Sequence, residues 1–158
     1  MLKVLLGCAI VAFTTFCGYI LSKKYRQRKL FFRQLFEFNQ RFLNEVTYYR
    51  RPIQDFVARY EYQGEFADML QAYVFSLKGE ALDLSQYSFL RDDETAILYD
   101  YFQTLGKGDS NSQKGYFSGM NDTLSKWKSS SDIEGKKIGD LYIKLGFLCG
   151  LFILILIL

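Results

Sequence analysis

Two long apolar runs lie at the ends of the chain, with a mixed polar and apolar segment between them. The first run extends from Val4 to Leu21 and is interrupted only by two threonines; the second, Leu145 to Leu158, contains no charge and no proline. A helix needs about 20 apolar residues to cross the hydrocarbon core of a bilayer. The pattern therefore predicts a transmembrane helix over residues 1–21 and another over residues 141–158.

The middle segment, residues 22–140, repeats its apolar positions every three or four residues, which is the spacing of amphipathic helices. In the first predicted helix this apolar stripe consists of Phe31, Leu35, Phe38, Phe42, Val46 and Tyr49. Residues 80–91 lack a clear pattern, and the periodicity fades over 129–135, which leaves either a kink or a break there. The sequence therefore predicts an all-α fold, a cytoplasmic helical bundle flanked by N-terminal and C-terminal transmembrane helices. The predicted helices run from the first apolar run to about Arg50, over Pro52–Tyr62, Glu65–Lys78 and Asp92–Leu105, and from Asp109 or Ser110 into the second apolar run.

Basic residues are concentrated directly after the first apolar run. Residues 22–60 carry ten basic and three acidic side chains, whereas residues 61–140 carry eight basic and fourteen acidic ones. The positive-inside rule then predicts a cytoplasmic middle segment with both termini outside. A cleaved signal peptide is the competing interpretation, but its basic end should precede the apolar run. The residues predicted to contact anionic lipid, rather than nucleic acid, are Lys23, Lys24, Arg26, Arg28 and Lys29.

The residues needed for common catalytic and metal sites are missing from the sequence. It contains no histidine and no phosphate-binding glycine loop that ends in Lys-Ser or Lys-Thr. The acidic cluster at Asp92 suits a helix start better than a metal site. We therefore expect no enzyme activity, no cofactor, no metal and no nucleic-acid partner. Four carboxylates are predicted to form a surface for a basic partner, namely Asp92, Asp93, Glu94 and Asp100.

Glycines four residues apart lie inside the second apolar run, at Gly146 and Gly150. Small residues at this spacing let two helices approach closely in lipid. The pair is predicted to be a helix contact in the membrane. The other helix is the first anchor, a second copy of the chain, which makes a homo-oligomer an open alternative, or another protein.

Three stretches carry a pattern whose order and spacing are specific. They lie after the basic segment, after the fourth predicted helix, and at the start of the second apolar run. Their residues are Glu45, Val46, Tyr48, Pro52 and Ile53; Leu105, Gly106, Asp109 and Gln113; and Lys144, Leu145 and Gly146. This pattern resembles the stage III sporulation protein AB family of spore-forming bacteria. It departs from that family at Val46, where the family has isoleucine, and residues 56–100 show no match.

The resemblance implies a non-enzymatic platform in a channel-like secretion complex between mother cell and forespore, similar to the inner-membrane platforms of type II secretion and type IV pilus machines. The implied partners are the secretion-type ATPase of the complex and its other membrane and ring subunits. The implied location is the mother-cell side of the outer forespore membrane. Two alternatives remain, a membrane-anchored adaptor or assembly factor outside sporulation and a small transporter or pore subunit.

Overall fold

The computed structural model describes the backbone of residues 2–49 and 51–157, and the side chains of residues 7–49 and 51–156. Over these residues every regular element is helical and none is a strand, so the predicted all-α class is confirmed. Two π-helical segments join α-helices, Glu45–Tyr49 after α1 and Gly135–Gly139 between α5 and α6. The α-helices are α1 (Leu2–Asn44), α2 (Ile53–Arg59), α3 (Glu65–Ser76), α4 (Asp92–Thr104), α5 (Ser110–Glu134) and α6 (Asp140–Ile157).

The largest difference from the predicted helix boundaries is at α2, which ends at Arg59. Tyr60 takes an extended conformation, with φ −116° and ψ 136°, and its ring packs on Phe56 with a centroid distance of 5.7 Å. The stretch with weak periodicity, residues 129–135, does not break the last helix. The helix continues from α5 through the second π-helical segment into α6.

The chain forms two compact units. The bundle unit comprises Leu30–Ser129, and the hairpin unit comprises the residues up to Lys29 together with those from Ser130 onward. The first part of α1 belongs to the hairpin unit and its second part to the bundle unit, and α5 is divided in the same way.

The core of the bundle unit is built around aromatic side chains of α1. Phe38 is fully buried and meets Phe56 of α2 and Phe66 of α3 edge to face, with ring centroids 5.3 and 5.8 Å apart. Aromatic pairs favour such tilted arrangements over face-to-face sandwiches. On the same helix Phe42 meets Phe117 of α5 at 4.7 Å. The predicted apolar stripe of α1 is therefore the centre of the bundle.

A polar contact also lies inside this aromatic core. Asn39, which has no exposed surface, donates a hydrogen bond of 3.1 Å to the carbonyl of Phe117 and accepts one of 3.1 Å from the hydroxyl of Tyr101. Buried polar groups are costly unless they are paired. This pairing therefore favours the observed arrangement of α1, α4 and α5 over other arrangements that would bury as much apolar surface but leave Asn39 unpaired.

The segment between α3 and α4 has no regular structure, but it is not a solvated loop. Tyr87 and Phe89 are buried, and the ring of Phe89 lies 5.2 Å from that of Phe31 in α1. Leu82 and Leu84 are buried as well. The segment covers one side of the core with side chains that have no periodic spacing. For this reason the hydrophobic pattern of residues 80–91 predicts no regular element.

In the hairpin unit, the first part of α1 packs against the second π-helical segment and α6, and most of its apolar side chains face outward. Among the described residues, one helix is long and apolar enough to cross a membrane, the continuous helix Ser110–Leu156. The N-terminal apolar run begins with residues 4–6, whose side chains lie outside those described. The prediction of two membrane-spanning ends therefore stays a prediction. Within the described part of the hairpin unit, the most exposed large apolar side chains are Phe13, Phe16, Leu21, Leu148, Phe152, Ile155 and Leu156.

Candidate docking site

A groove of about 180 Å³ opens on the bundle unit between two distant parts of the sequence. One wall is formed by the start of the first π-helical segment and the chain from Arg51 to the start of α2, and the other by the turn between α4 and α5. These two walls contain the first and second of the three stretches that carry the sequence pattern. The residues that define the groove are Glu45, Arg51, Ile53, Gly106, Ser110 and Gln113.

The turn between α4 and α5 is held by the side chain of Gln113. Its Oε1 accepts a hydrogen bond of 3.1 Å from the N–H of Gly106, and its Nε2 donates to the carbonyls of Thr104, at 2.9 Å, and Lys107. Gly106 has φ +74°, a conformation that favours glycine, and a Cβ there would lie 3.0 Å from Cβ of Ile53. The buried side-chain amide of Gln113 therefore holds three backbone groups of the turn, those of Thr104, Gly106 and Lys107.

Asp109 completes the turn by capping α5, as the sequence predicted. Its Oδ1 accepts hydrogen bonds from the N–H groups of Asn111 and Ser112, at 2.9 and 3.0 Å, and its Oδ2 accepts one of 2.6 Å from the Ser112 hydroxyl. These bonds lower the pKa of the Asp109 carboxyl, the Ser112 side chain contributing most. Leu105 lies beneath the turn, fully buried, and its carbonyl accepts a 2.8 Å bond from Tyr73. The four pattern residues of this stretch thus form one rigid turn.

The other wall is built on a buried carboxylate. Glu45 is 4% exposed, and its Oε1 lies 3.7 Å from Nε of Arg51 and accepts a hydrogen bond of 3.4 Å from the Arg51 backbone N–H. Pro52 ends the preceding helical run and starts α2. A π-helical turn holds Glu45 here, and such turns often occur at functional sites. The ion pair links Glu45, at the start of this π-helical turn, to Arg51, which follows it.

Two tyrosines beside this wall face solvent. Tyr48 is 75% exposed and Tyr49 is 61% exposed, and the guanidinium of Arg51 lies 4.7 Å from the centre of the Tyr49 ring. The apolar stripe predicted for α1 included Tyr49, and its exposure differs from that interpretation because the π-helical segment changes the facing of the last turn. Tyrosine and arginine are the residue types enriched at binding hot spots. We call Tyr48, Tyr49 and Arg51 the aromatic patch.

The predicted acidic surface keeps three of its four carboxylates. Asp92, Asp93 and Asp100 are exposed on α4, and Asp100 accepts a 2.5 Å hydrogen bond from the hydroxyl of Tyr116. Glu94 is a correction to the prediction, because it is only 1% exposed. Its Oε2 accepts a 3.0 Å hydrogen bond from the N–H of Arg91 and thereby closes the start of α4. A buried capping carboxylate is not available to a partner.

Gly146 and Gly150 lie against the first helix within the hairpin unit. A Cβ at Gly146 would lie 2.5 Å from the carbonyl oxygen of Thr14, and one at Gly150 would lie 2.8 Å from Cα of Val11. Gly18 approaches the backbone of Tyr142 in the same way. These contacts need the absence of a side chain, so α6 packs on α1 of the same chain. That this contact lies in a membrane stays a prediction.

The basic segment after the first apolar run is divided by the structure. Lys23, Lys24 and Arg26 are exposed. Arg28 is buried, and its Nε lies 3.2 Å from Oε2 of Glu134; Lys29 lies 3.4 Å from Oδ1 of Asp132. For Arg28 the predicted lipid contact is therefore wrong, because its guanidinium pairs with the facing helix.

The remaining predicted positions are Lys144 and Leu145, both exposed on α6 in the hairpin unit. They are not among the residues of the groove. In the part of the chain that the structure describes, no three His, Cys, Asp or Glu side chains are placed to hold a metal ion. The expectation that the protein has no cofactor and is not an enzyme remains a prediction.

Comparison with known protein families decides the family. The model of the stage III sporulation protein AB family matches residues 3–158. The chain belongs to this family. Its role is therefore related to sporulation, and the resemblance seen in three stretches extends over nearly the whole chain. No curated protein and no solved structure matches the sequence.

Several residues of the sequence pattern line the groove, but the sequence alone did not predict that a groove exists. Ile53 and Gln113 are both pattern residues, yet nothing in their spacing indicates that they lie on either side of one groove. Glu45 also belongs to the pattern, and Pro52 indicates in the sequence where the first helix ends and the next begins. The pairing of Glu45 with Arg51 has no signal in the sequence, because it depends on the backbone path between them.

Proposed function

We propose that the protein is a non-enzymatic membrane platform component of the sporulation channel between mother cell and forespore, and that it couples a cytoplasmic secretion-type ATPase to the membrane assembly. The family supports the sporulation role. The observation that carries the platform role is the division of the chain into an apolar helical hairpin and a separate, aromatic-cored bundle. The bundle presents surfaces for protein contacts while the hairpin holds the protein in the membrane.

The outward-facing apolar residues of the hairpin support membrane insertion. Phe13, Phe152 and Ile155 are at least 65% exposed, and each would leave apolar surface in water at a cost of about 25 cal/mol per Å². Because the glycine contacts hold α1 and α6 side by side, we propose that both apolar runs cross the bilayer together. The basic residues after the first run then place the bundle in the cytoplasm and both termini outside. The membrane is the outer forespore membrane, entered from the mother-cell side.

We propose that the aromatic patch and the groove beside it dock the ATPase. Tyr48 and Tyr49 are more exposed than expected for large aromatic side chains without a partner, and the rigid turn at Gln113 offers a preformed edge. Partner binding to a preformed surface loses little conformational entropy. The exposed acidic residues Asp92 and Asp93 form a competing contact surface, which attracts a basic partner.

The test is a crosslinking pull-down of the tagged full-length protein from sporulating mother cells. The Tyr48→Ala/Tyr49→Ala variant is expected to reduce recovery of the ATPase at least about tenfold, since buried interface tyrosines contribute about 2 kcal/mol or more. The matched control is Tyr99→Ala, which removes a tyrosine 48% exposed on α4 and should leave recovery unchanged.

Other outcomes separate the parts of the proposal. If Asp92→Lys/Asp93→Lys/Asp100→Lys abolishes recovery and the tyrosine variant does not, the acidic surface is the docking site. If the wild-type protein recovers no ATPase, the platform role fails. Labelling of single cysteines placed in residues 60–110 by a membrane-impermeant reagent added from outside would contradict the cytoplasmic placement.

A further inference from the structure

Exposed basic residues occur on both helices of the hairpin unit, in segments that run side by side. A Cβ at Gly135 would lie 3.1 Å from Cδ of Lys29, and one at Gly139 would lie 4.0 Å from Cβ of Ser22. The rings of Tyr25 and Tyr142 stack with centroids 5.9 Å apart. The segment 22–29 of α1 therefore runs alongside the segment that includes the second π-helical turn and the start of α6.

Exposed cations outnumber exposed carboxylates in these two neighbouring segments. Asp132 and Glu134 are paired with Lys29 and Arg28, which leaves Asp140 as the exposed carboxylate among the described residues of these segments. Six exposed cations lie in or next to these segments, three on each helix of the hairpin. We call them the basic collar, and they are Lys23, Lys24, Arg26, Lys136, Lys137 and Lys144.

The collar lies where the apolar part of the hairpin begins. Leu21 precedes it on α1 and is 58% exposed, and Leu141 and Leu145 surround Lys144 on α6 with exposures of 52% and 46%. Arg26 extends back over the ring of Tyr19, with the guanidinium 3.9 Å from the ring centre. Long basic side chains at such a boundary place their charges at the level of lipid headgroups. This placement rests on the proposed insertion of the hairpin.

We propose that the basic collar is a two-helix binding site for the phosphate groups of anionic phospholipids. The site exists only when the hairpin is closed, because half of its cations come from each helix. The ion pairs of Arg28 and Lys29 close the hairpin and place no charge in the site. The hairpin thus selects anionic lipid around the platform through residues that are at least 110 positions apart in the sequence.

The test measures equilibrium binding of a fluorescent phosphatidylglycerol to the purified full-length protein in a neutral detergent. Each Lys or Arg near a membrane surface contributes about a fivefold increase in affinity for anionic lipid. The variants Lys23→Gln/Lys24→Gln/Arg26→Gln and Lys136→Gln/Lys137→Gln/Lys144→Gln are each expected to weaken binding by about tenfold to a hundredfold. Phosphatidylcholine should bind equally weakly to all forms.

The matched control removes three exposed lysines of the bundle unit, Lys78→Gln/Lys107→Gln/Lys114→Gln, and should leave binding unchanged. The variant Lys136→Arg/Lys137→Arg should bind like the wild type, and circular dichroism should show the same helix content throughout. Glycerol phosphate, which carries the phosphate without acyl chains, should not compete.

Two results would overturn the proposal. If the Lys136→Gln/Lys137→Gln/Lys144→Gln variant binds phosphatidylglycerol as tightly as the wild type, the site belongs to α1 alone and the two-helix collar does not exist. If the bundle control weakens binding as much as the collar variants, the effect is net charge only. The platform role can fail separately, because loss of the ATPase contact would leave lipid binding intact. If carbonate extracts the protein from membranes, the hairpin is not inserted and the collar proposal fails with it.

Discussion

Replacing Gln113 tests whether one amide holds the turn that forms the edge of the groove. Gln113→Ala removes one accepted and two donated hydrogen bonds, to Gly106, Thr104 and Lys107. A buried hydrogen bond contributes about 0.5–1.5 kcal/mol net. Because Gly106 and Lys107 are exposed and water can replace part of the loss, we expect the free energy of unfolding to fall by about 2–3 kcal/mol.

A second substitution separates the donated bonds from the accepted one. Gln113→Glu keeps an acceptor for the N–H of Gly106, but it removes both donors and places a carboxylate against two carbonyl oxygens. The glutamate variant should therefore be at least as destabilised as Gln113→Ala. It should also lose recovery of the partner in the pull-down, since the groove edge depends on the turn.

The assay is urea unfolding of the full-length protein in a mild detergent, followed by the fluorescence of Trp127. Trp127 is the single tryptophan, and its ring lies 5.4 Å from that of Phe32 in the bundle core, so its signal reports unfolding of the bundle. Gln103→Ala is the matched control on the neighbouring helix, because Gln103 is exposed and bonded only to Lys107 among the hydrogen bonds described. Exposed substitutions usually change stability by less than about 0.5 kcal/mol. The reasoning is refuted if Gln113→Ala is no more destabilising than the control, or if the glutamate variant unfolds like the wild type.

Gly106→Ala should lower the free energy of unfolding by about 2 kcal/mol or more, because φ is +74° and the new Cβ would press on Ile53; Gly79→Ala, at φ +105° with open space around it, should cost only the backbone strain. Equal losses in the same urea assay would show that the Ile53 contact does not matter. Burial raises the pKa of Tyr73 to about 12, and burial with the Asp100 hydrogen bond raises that of Tyr116 to about 12. Tyrosine in the unfolded chain ionises at about pH 10, so the unfolded chain releases these protons at a lower pH than the folded protein. The contribution of these tyrosines to the free energy of unfolding is therefore fully present below about pH 10 and is lost between about pH 10 and 12. Ultraviolet titration should show a late step that shrinks in Tyr116→Phe; a single step near about pH 10 would contradict this.

The helices of the bundle could be predicted closely because their signals are local. Asp92 starts α4, Asp109 caps α5, and the glycine at position 106 ends the helix before it, as each residue's backbone and side-chain chemistry requires. The buried stripe of α1 followed from its spacing alone, apart from Tyr49. Such features depend on neighbours within about one or two helical turns.

The segment between α3 and α4 and the carboxylate of Glu94 could not be predicted in the same way. Phe89 is buried by Phe31, which lies far away in sequence, and no periodicity marks it. Glu94 looked like a surface residue because it stands beside two exposed aspartates, but the helix start turns it toward the N–H of Arg91. Burial of an individual residue depends on which other segment covers it.

By itself, the sequence determined the all-helical class, the apolar ends, the uneven charge and the family, because each of these follows from residue types at short spacing. Only the tertiary structure decided which of the basic residues face outward, because Arg28 and Lys29 are paired by a helix more than 100 positions later. It also decided that Glu45 and Gln113 lie beside one groove. The physical reason is that pairing and burial depend on distances in space, which side-chain packing sets when the helices come together.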